Sequence, residues 1–168
     1  RHGHRRVQSV RGEVKLRHLI TGAPARVGDF GRDDDFLPGI RLVGVQAQLY
    51  PSMYNAIKGT ELPMRGDTLA EGIAVKAPGS ITRKIVRELV DDILLVSEQE
   101  IEHAVSLLIN IEKTVVEGAG AAGLAAVLKE PNRFKDSVVG LVLCGGNIDT
   151  RLLASVLTRE LAREGRLT

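Results

Sequence analysis

From Ile40 onward two kinds of spacing alternate: short runs of consecutive apolar residues, and longer stretches in which apolar residues recur every three or four positions. The first is what a buried parallel strand requires and the second is the stripe of an amphipathic helix. Their alternation predicts a parallel sheet covered by helices. Ile40 to Val45 reads as a strand, and Tyr50 to Ile57 as a short helix closed by Lys58 and Gly59. Gly79 to Val90 has helical spacing in Ile81, Ile85, Val86 and Leu89, and Asp92 then leads into an apolar strand, Ile93 to Val96. Ser97 with Glu100 forms a capping box, because the hydroxyl and the carboxylate can satisfy the free amides of a new helix. That helix carries the stripe Ile101, Ala104, Val105, Leu108 and Ile111. Glu117 precedes Gly118-Ala119-Gly120-Ala121-Ala122-Gly123, small residues that let backbones approach closely, and these run into a helix over Leu124 to Lys129. The last unit is a buried strand, Val138 to Leu143, the turn Cys144-Gly145-Gly146-Asn147, and a helix from about Asp149 to Arg163. Leu152, Leu153, Val156, Leu157 and Leu161 form its apolar face. The expected fold class is α/β, three-layer, with a short, mostly parallel sheet flanked by helices.

The first part of the chain is different. Val7, Val10, Val14 and Leu16 to Ile20 offer a few apolar positions, but Gly3, Gly12, Gly22, Gly28, Gly31 and Pro24 interrupt any long element. Residues 1–32 hold eight Lys or Arg against Glu13 and Asp29, whereas the remainder is mildly acidic, and the whole chain carries a net charge of +2. The organisation expected is a basic, weakly ordered head over residues 1–35 and an α/β body over residues 36–168. The head's Arg and His residues could form a phosphate-binding arm, or be a disordered or foreign leader. No aromatic platform or recognition helix accompanies the charge, which favours the leader.

Composition narrows the function classes. The chain has 168 residues, 43% of them apolar, enough for one domain that buries about two thirds of its unfolded surface. Aromatic residues make up 3%, with no Trp, which disfavours stacking platforms for single-stranded nucleic acid. The longest uncharged stretch, Leu42 to Ile57, is too short and too polar to span a bilayer. The single cysteine, Cys144, excludes an internal disulfide framework and a multi-cysteine zinc site, and fits a reducing, cytoplasmic setting. The acidic trio Asp33, Asp34 and Asp35 lacks a second ligand cluster, so no metal is expected.

Candidate chemistry gathers at the turns. A strand, a glycine turn and a helix place free backbone amides at the carboxyl end of a sheet, so Gly145, Gly146 and Asn147 read either as an anion or cofactor site or as an ordinary tight turn. Cys144 could offer a weak S–H donor to a ring nitrogen, or be a buried structural thiol. Glu117 could be a general acid or base, or a charge that favours the N-terminus of the small-residue helix. His103, inside the amphipathic helix beside Glu102, reads as a surface or boundary histidine.

The segments IRLVGVQAQLYPSMYNAIKG, DTLAEGIAVKAPG, LVDDILLVSEQEI, VVEGAGAAGLAAVL and LVLCGGNIDTRLLASVL occur in order from Ile40. With them the body resembles the C-terminal part of the catalytic domain of threonine ammonia-lyases, pyridoxal-phosphate enzymes of the tryptophan-synthase β fold (fold type II) that include serine racemase. The resemblance implies pyridoxal 5'-phosphate as cofactor and an amino-acid substrate, L-threonine and often L-serine, converted to a 2-oxo acid and ammonia. It places Cys144 at the pyridine nitrogen, where the family usually has Ser. A neutral donor there leaves the nitrogen unprotonated and favours departure of the β-hydroxyl. It places Gly72 close to the ring and Glu117 near the floor of the site, with Gly145, Gly146 and Asn147 shaping the same end. The phosphate, by the same resemblance, belongs to a separate tetraglycine loop and not to this turn. A homo-oligomer is implied for the complete enzyme.

Two family features are missing from the sequence. The Schiff-base lysine lies in an S-F-K-x-R-G motif and the phosphate loop reads G-G-G-G-L; neither is present, and RVGDFGRDDDFLPG stands where the loop is expected. None of Lys15, Lys58, Lys76, Lys84, Lys113, Lys129 or Lys135 lies in the lysine motif, so no catalytic residue is assigned and the chain alone is expected to lack deaminase activity. Some relatives bind a divalent cation through an acidic residue where this chain has Gln46. The reading of a different class is a non-catalytic binding or assembly module whose basic head contacts an acidic partner.

Overall fold

The computed structural model describes residues 6–9, 12–18 and 40–167. Strands β1 (Arg6–Ser9) and β2 (Gly12–His18) pair antiparallel, and β2 pairs in parallel with β5 (Val138–Leu141), Lys15 standing opposite Val138 and His18 opposite Leu141. A second sheet consists of β3 (Val43–Ala47) and β4 (Asp92–Val96), parallel, with Val43 opposite Asp92 and Ala47 opposite Val96. The fold is α/β with parallel pairing, as the spacing predicts, but the strands are divided between two short sheets. The two strands before Ile40 were not foreseen from their spacing. The rest of the head, including Asp33, Asp34 and Asp35, lies outside the described residues.

Helix α1 (Ser52–Lys58) follows Pro51 and ends at Gly59, whose φ of +69° lets its amide turn back to the Asn55 carbonyl. Helix α2 (Ser80–Leu89) leads into β4. Helix α3 (Glu98–Asn110) begins with the complete capping box: Ser97 Oγ accepts from the Glu100 amide, and the Glu100 carboxylate accepts from the Ser97 amide. Of its predicted stripe, Ile101, Ala104, Val105 and Leu108 are buried, whereas Ile111 stands past the last turn and is 38% exposed.

Helix α4 (Gly118–Lys129) begins six residues before the expected Leu124. It is buried on most of its circumference, including Ala121, Ala122, Ala125 and Ala126, and packs on α3, β4 and β3. A helix covered on nearly all sides has no polar face, so its sequence carries no amphipathic stripe to mark where it starts. Helix α5 (Thr150–Arg163) is capped by Asp149, whose Oδ1 accepts from the Arg151 and Leu152 amides. Val156 is its fully buried anchor. The core unites Val96, Ile101, Val105, Val116, Leu124 and Val156 with the alanines of α4. Each fully buried Val or Ile contributes about 1.5–3 kcal/mol.

The strand at Val138–Leu143, expected to be buried, is covered on one face only, where Leu141 and Leu143 pack against the core. β5 ends at Leu141, and Val138 and Val142 are 65% and 63% exposed. Side chains two apart share a face of a strand, and this face has no helix over it among the described residues.

Candidate active site

The site lies where α4 begins. Glu117 is the N-cap of α4, yet its carboxylate makes no cap hydrogen bond and receives none elsewhere among the described residues. Its backbone amide donates instead to the Gly145 carbonyl at 2.9 Å, tying the mouth of α4 to the bend after β5. Gly145 has φ +77°, and a Cβ built on it would lie 2.5 Å from Glu117 Cδ. Only glycine fits there, first for the left-handed backbone and then for the carboxylate beside it. Gly72, within a 3-10 turn at Glu71–Ile73, approaches the same carboxylate: a Cβ on it would meet Glu117 Oε1 at 3.1 Å and Ala119 Cβ at 3.3 Å.

Close backbone approach fixes both flanks of α4. Space for a Cβ at Gly118 is taken by the Leu69 carbonyl, and at Gly120 by the Cys144 carbonyl, whose oxygen would lie 2.0 Å away. The small-residue run thus allows the DTLAEGIAV segment and the Cys144 bend to sit directly on the helix. Cys144 is exposed, as are Gly145, Gly146 and Asn147, so the bend is open to a ligand. The alternative of a buried structural cysteine does not apply.

The structure therefore brings Glu117, Gly72 and Gly145 into contact and sets Cys144, Gly146 and Asn147 on the adjoining bend. The lining would suit a flat ring: two glycine backbones without side chains, a carboxylate without a hydrogen-bond donor, and an exposed thiol. Gln46 spends its Oε1 accepting from the Tyr54 amide at 2.8 Å. Among the described residues no cluster of His, Cys, Asp and Glu is arranged to hold a metal ion, and no helix is long and apolar enough to cross a membrane.

Three ionic groupings escaped sequence reasoning. Glu98, in the first turn of α3, accepts from the Thr68 hydroxyl and from the Leu69 amide, each at 2.6 Å. In sequence it reads only as a charge favouring the helix dipole, and no spacing reveals its distant partners. Glu102 and Glu160, both buried, join α3 to α5: Arg159 and Arg163 bind Glu102, while Arg163 and His103 bind Glu160. His103 is partly exposed, consistent with a boundary residue. Burial alone would raise the pKa of Glu102, but hydrogen bonds from Arg159 and Arg163 outweigh it, and the carboxyl titrates below its ordinary value. Glu160 behaves likewise, held down by His103 and Arg163. At the start of β4, hydrogen bonds from Lys58 and then Arg133 hold Asp92 at about 2.

The candidate site is thus a carboxylate at the mouth of a buried helix in an α/β fold, faced by glycine backbones from two loops. The model of the family described as pyridoxal-phosphate dependent enzyme matches residues 25–145, and the chain belongs to that family. It is 40% identical over 131 residues to the L-threonine ammonia-lyase of Thermotoga maritima, covering 77% of this chain and 32% of the relative. It is 43% identical over 135 residues to that of Geobacter sulfurreducens, covering 77% and 33%. Among solved structures, the maize serine racemase superposes with a TM-score of 0.61 at 27% identity, over 79% of this chain and 42% of that one. A crystal structure of a threonine deaminase superposes with the same TM-score of 0.61 at 34% identity, over 69% and 43%. The chain thus spans about a third of the length of the curated relatives it matches.

Proposed function

We propose that the chain is the C-terminal portion of the catalytic domain of a pyridoxal-phosphate-dependent threonine ammonia-lyase, which deaminates L-threonine, and L-serine as a second substrate, to the 2-oxo acid and ammonia. The observation that carries the reading is the convergence of Gly72 and Gly145 on the Glu117 carboxylate beside the exposed Cys144 bend. The names of the relatives supply the substrate class. Bound, the cofactor supplies an electron sink for the carbanion formed at the substrate's α-carbon. This chain's residues would do the holding: Gly72 and Gly145 would leave room for the ring, Glu117 would accept a hydrogen bond at the floor, and Cys144 Sγ would offer a weak donor to the ring nitrogen. Gly146 and Asn147 complete the bend.

The chain alone does not turn over threonine, because no lysine lies in the motif that would hold the cofactor covalently. The test is an absorbance titration of the purified chain with pyridoxal phosphate, followed by borohydride reduction, peptide mapping and an ammonia assay with L-threonine. A saturable spectral change that Gly145→Val abolishes is expected, with no pyridoxyl group fixed at one lysine and no ammonia. Absence of any saturable change removes the cofactor site, and ammonia release removes the argument from the missing lysine.

A further inference from the structure

The first turn of α3 lies apart from the bend, yet its Glu98 is not used to cap its own helix, a task that Ser97 and Glu100 complete between them. The Glu98 carboxylate crosses to the DTLAEGIAV segment, where Oε1 accepts from the Thr68 hydroxyl and Oε2 from the Leu69 amide. These are short, charge-assisted hydrogen bonds, stronger than neutral ones. Thr68 is buried and uses its Oγ1 a second time, accepting from the Ala70 amide at 3.1 Å. Immediately after it, the Leu69 carbonyl lies against Gly118, where no side chain fits. Residues 68–70 are thus gripped on one side by α3 and on the other by α4. Two residues further on, the chain delivers Gly72 to Glu117.

We infer that Glu98 is a positioning residue for the candidate site: by clamping Thr68 and Leu69 it sets the distance between the Gly72 backbone and the Glu117 carboxylate. That this distance matters to a ring ligand rests on the proposed function; that Glu98 sets it does not. The Ile73 and Ala74 amides, which donate to the Ala70 and Glu71 carbonyls, report the order of the turn carrying Gly72.

The experiment compares Glu98→Ala, Glu98→Gln and Ser97→Ala in the full chain by amide hydrogen exchange, with pyridoxal phosphate affinity as a second measurement. Ser97→Ala weakens the same helix start while leaving the clamp intact. Gln keeps the length of the side chain and its carbonyl can accept from the Leu69 amide, but its NH2 cannot accept from the Thr68 hydroxyl, so it removes one arm of the clamp. In Glu98→Ala, exchange at Ile73 and Ala74 is expected to accelerate by about tenfold beyond any global loss of stability. The Kd for pyridoxal phosphate is expected to rise by about fivefold, as befits a site loosened without losing a contact group. Ser97→Ala is expected to leave local exchange within about twofold of the parent, and Glu98→Gln to fall between Ser97→Ala and Glu98→Ala. Unchanged exchange in Glu98→Ala overturns the inference, and so does equal acceleration in Ser97→Ala. If Glu98→Ala does not fold, the decision passes to Glu98→Gln: exchange at Ile73 and Ala74 faster than in Ser97→Ala supports the clamp, and exchange equal to the parent's sinks it. Accelerated exchange in a series in which no protein binds pyridoxal phosphate supports the clamp and overturns the reading of the ring site.

Discussion

Two glycines three positions apart on α4 predict opposite outcomes for the same substitution. A Cβ on Gly120 would stand 2.0 Å from the Cys144 carbonyl oxygen, whereas one on Gly123 would stand 3.3 Å from Leu141 Cδ2. Carbon-to-oxygen contacts settle at about 3.3–3.6 Å, so Gly120→Ala must drive the backbone at Cys144 away by more than about 1 Å. That bend is fixed by the hydrogen bond from the Glu117 amide to the Gly145 carbonyl. Overpacking against a backbone costs about 1–3 kcal/mol and occasionally more, and breaking the tie adds about 1 kcal/mol. Replacing Gly by Ala inside a helix returns about 1 kcal/mol. The net expectation for Gly120→Ala is a loss of about 2 kcal/mol. At Gly123 the neighbour is a methyl group that can rotate aside, so Gly123→Ala is expected to be neutral or to stabilise by about 0.5 kcal/mol. Urea denaturation of both variants, with m compared to the parent to confirm a two-state transition, measures the difference. A Gly120→Ala protein as stable as the parent, or less disturbed than Gly123→Ala, would refute the claim that the bend rests directly on this helix.

Asp92 titrates at about 2 against an ordinary 3.8, so its ionised form stabilises the fold above about pH 4, and that contribution is lost as pH falls from 3.8 through 2. The stability gap between the parent and Asp92→Asn should therefore narrow from pH 6 to pH 2; a gap independent of pH would contradict the roles given to Lys58 and Arg133. Arg163→Ala leaves Glu102 to Arg159 alone and Glu160 to His103 alone. It should cost about 1–2 kcal/mol, between the values for exposed and buried pairs. A change within about 0.5 kcal/mol, the range of ordinary surface substitutions, would show the cluster to be energetically idle.

What the sequence made legible was local. The capping box at Ser97 and Glu100 depends on neighbours three residues apart and forms as read, and α5 starts beside Asp149, where its spacing placed it. The start of α4 was not legible because its first turn is chosen for close approach to Leu69 and Cys144, contacts that lie far off in the chain. The contact of Glu117 with Gly72 and Gly145 could be expected from family resemblance but not from spacing, since 45 and 28 positions separate them. Glu98, Glu102 and Glu160 look in sequence like solvated helix charges; their meaning comes from which helix or loop packs against them. β5 shows the opposite error: an apolar run signals burial only where another layer exists to provide it.

The face of β5 left uncovered among the described residues has a practical consequence for handling the protein. Val138 on β5 and Val142 just past its end present bare apolar side chains to solvent at either end of a short strand. Such a face is adhesive, and at high concentration it invites copies of the chain to cling to one another and come out of solution. Dilute samples, and a check that melting midpoints do not drift with protein concentration, are the conditions under which the energies above acquire their meaning.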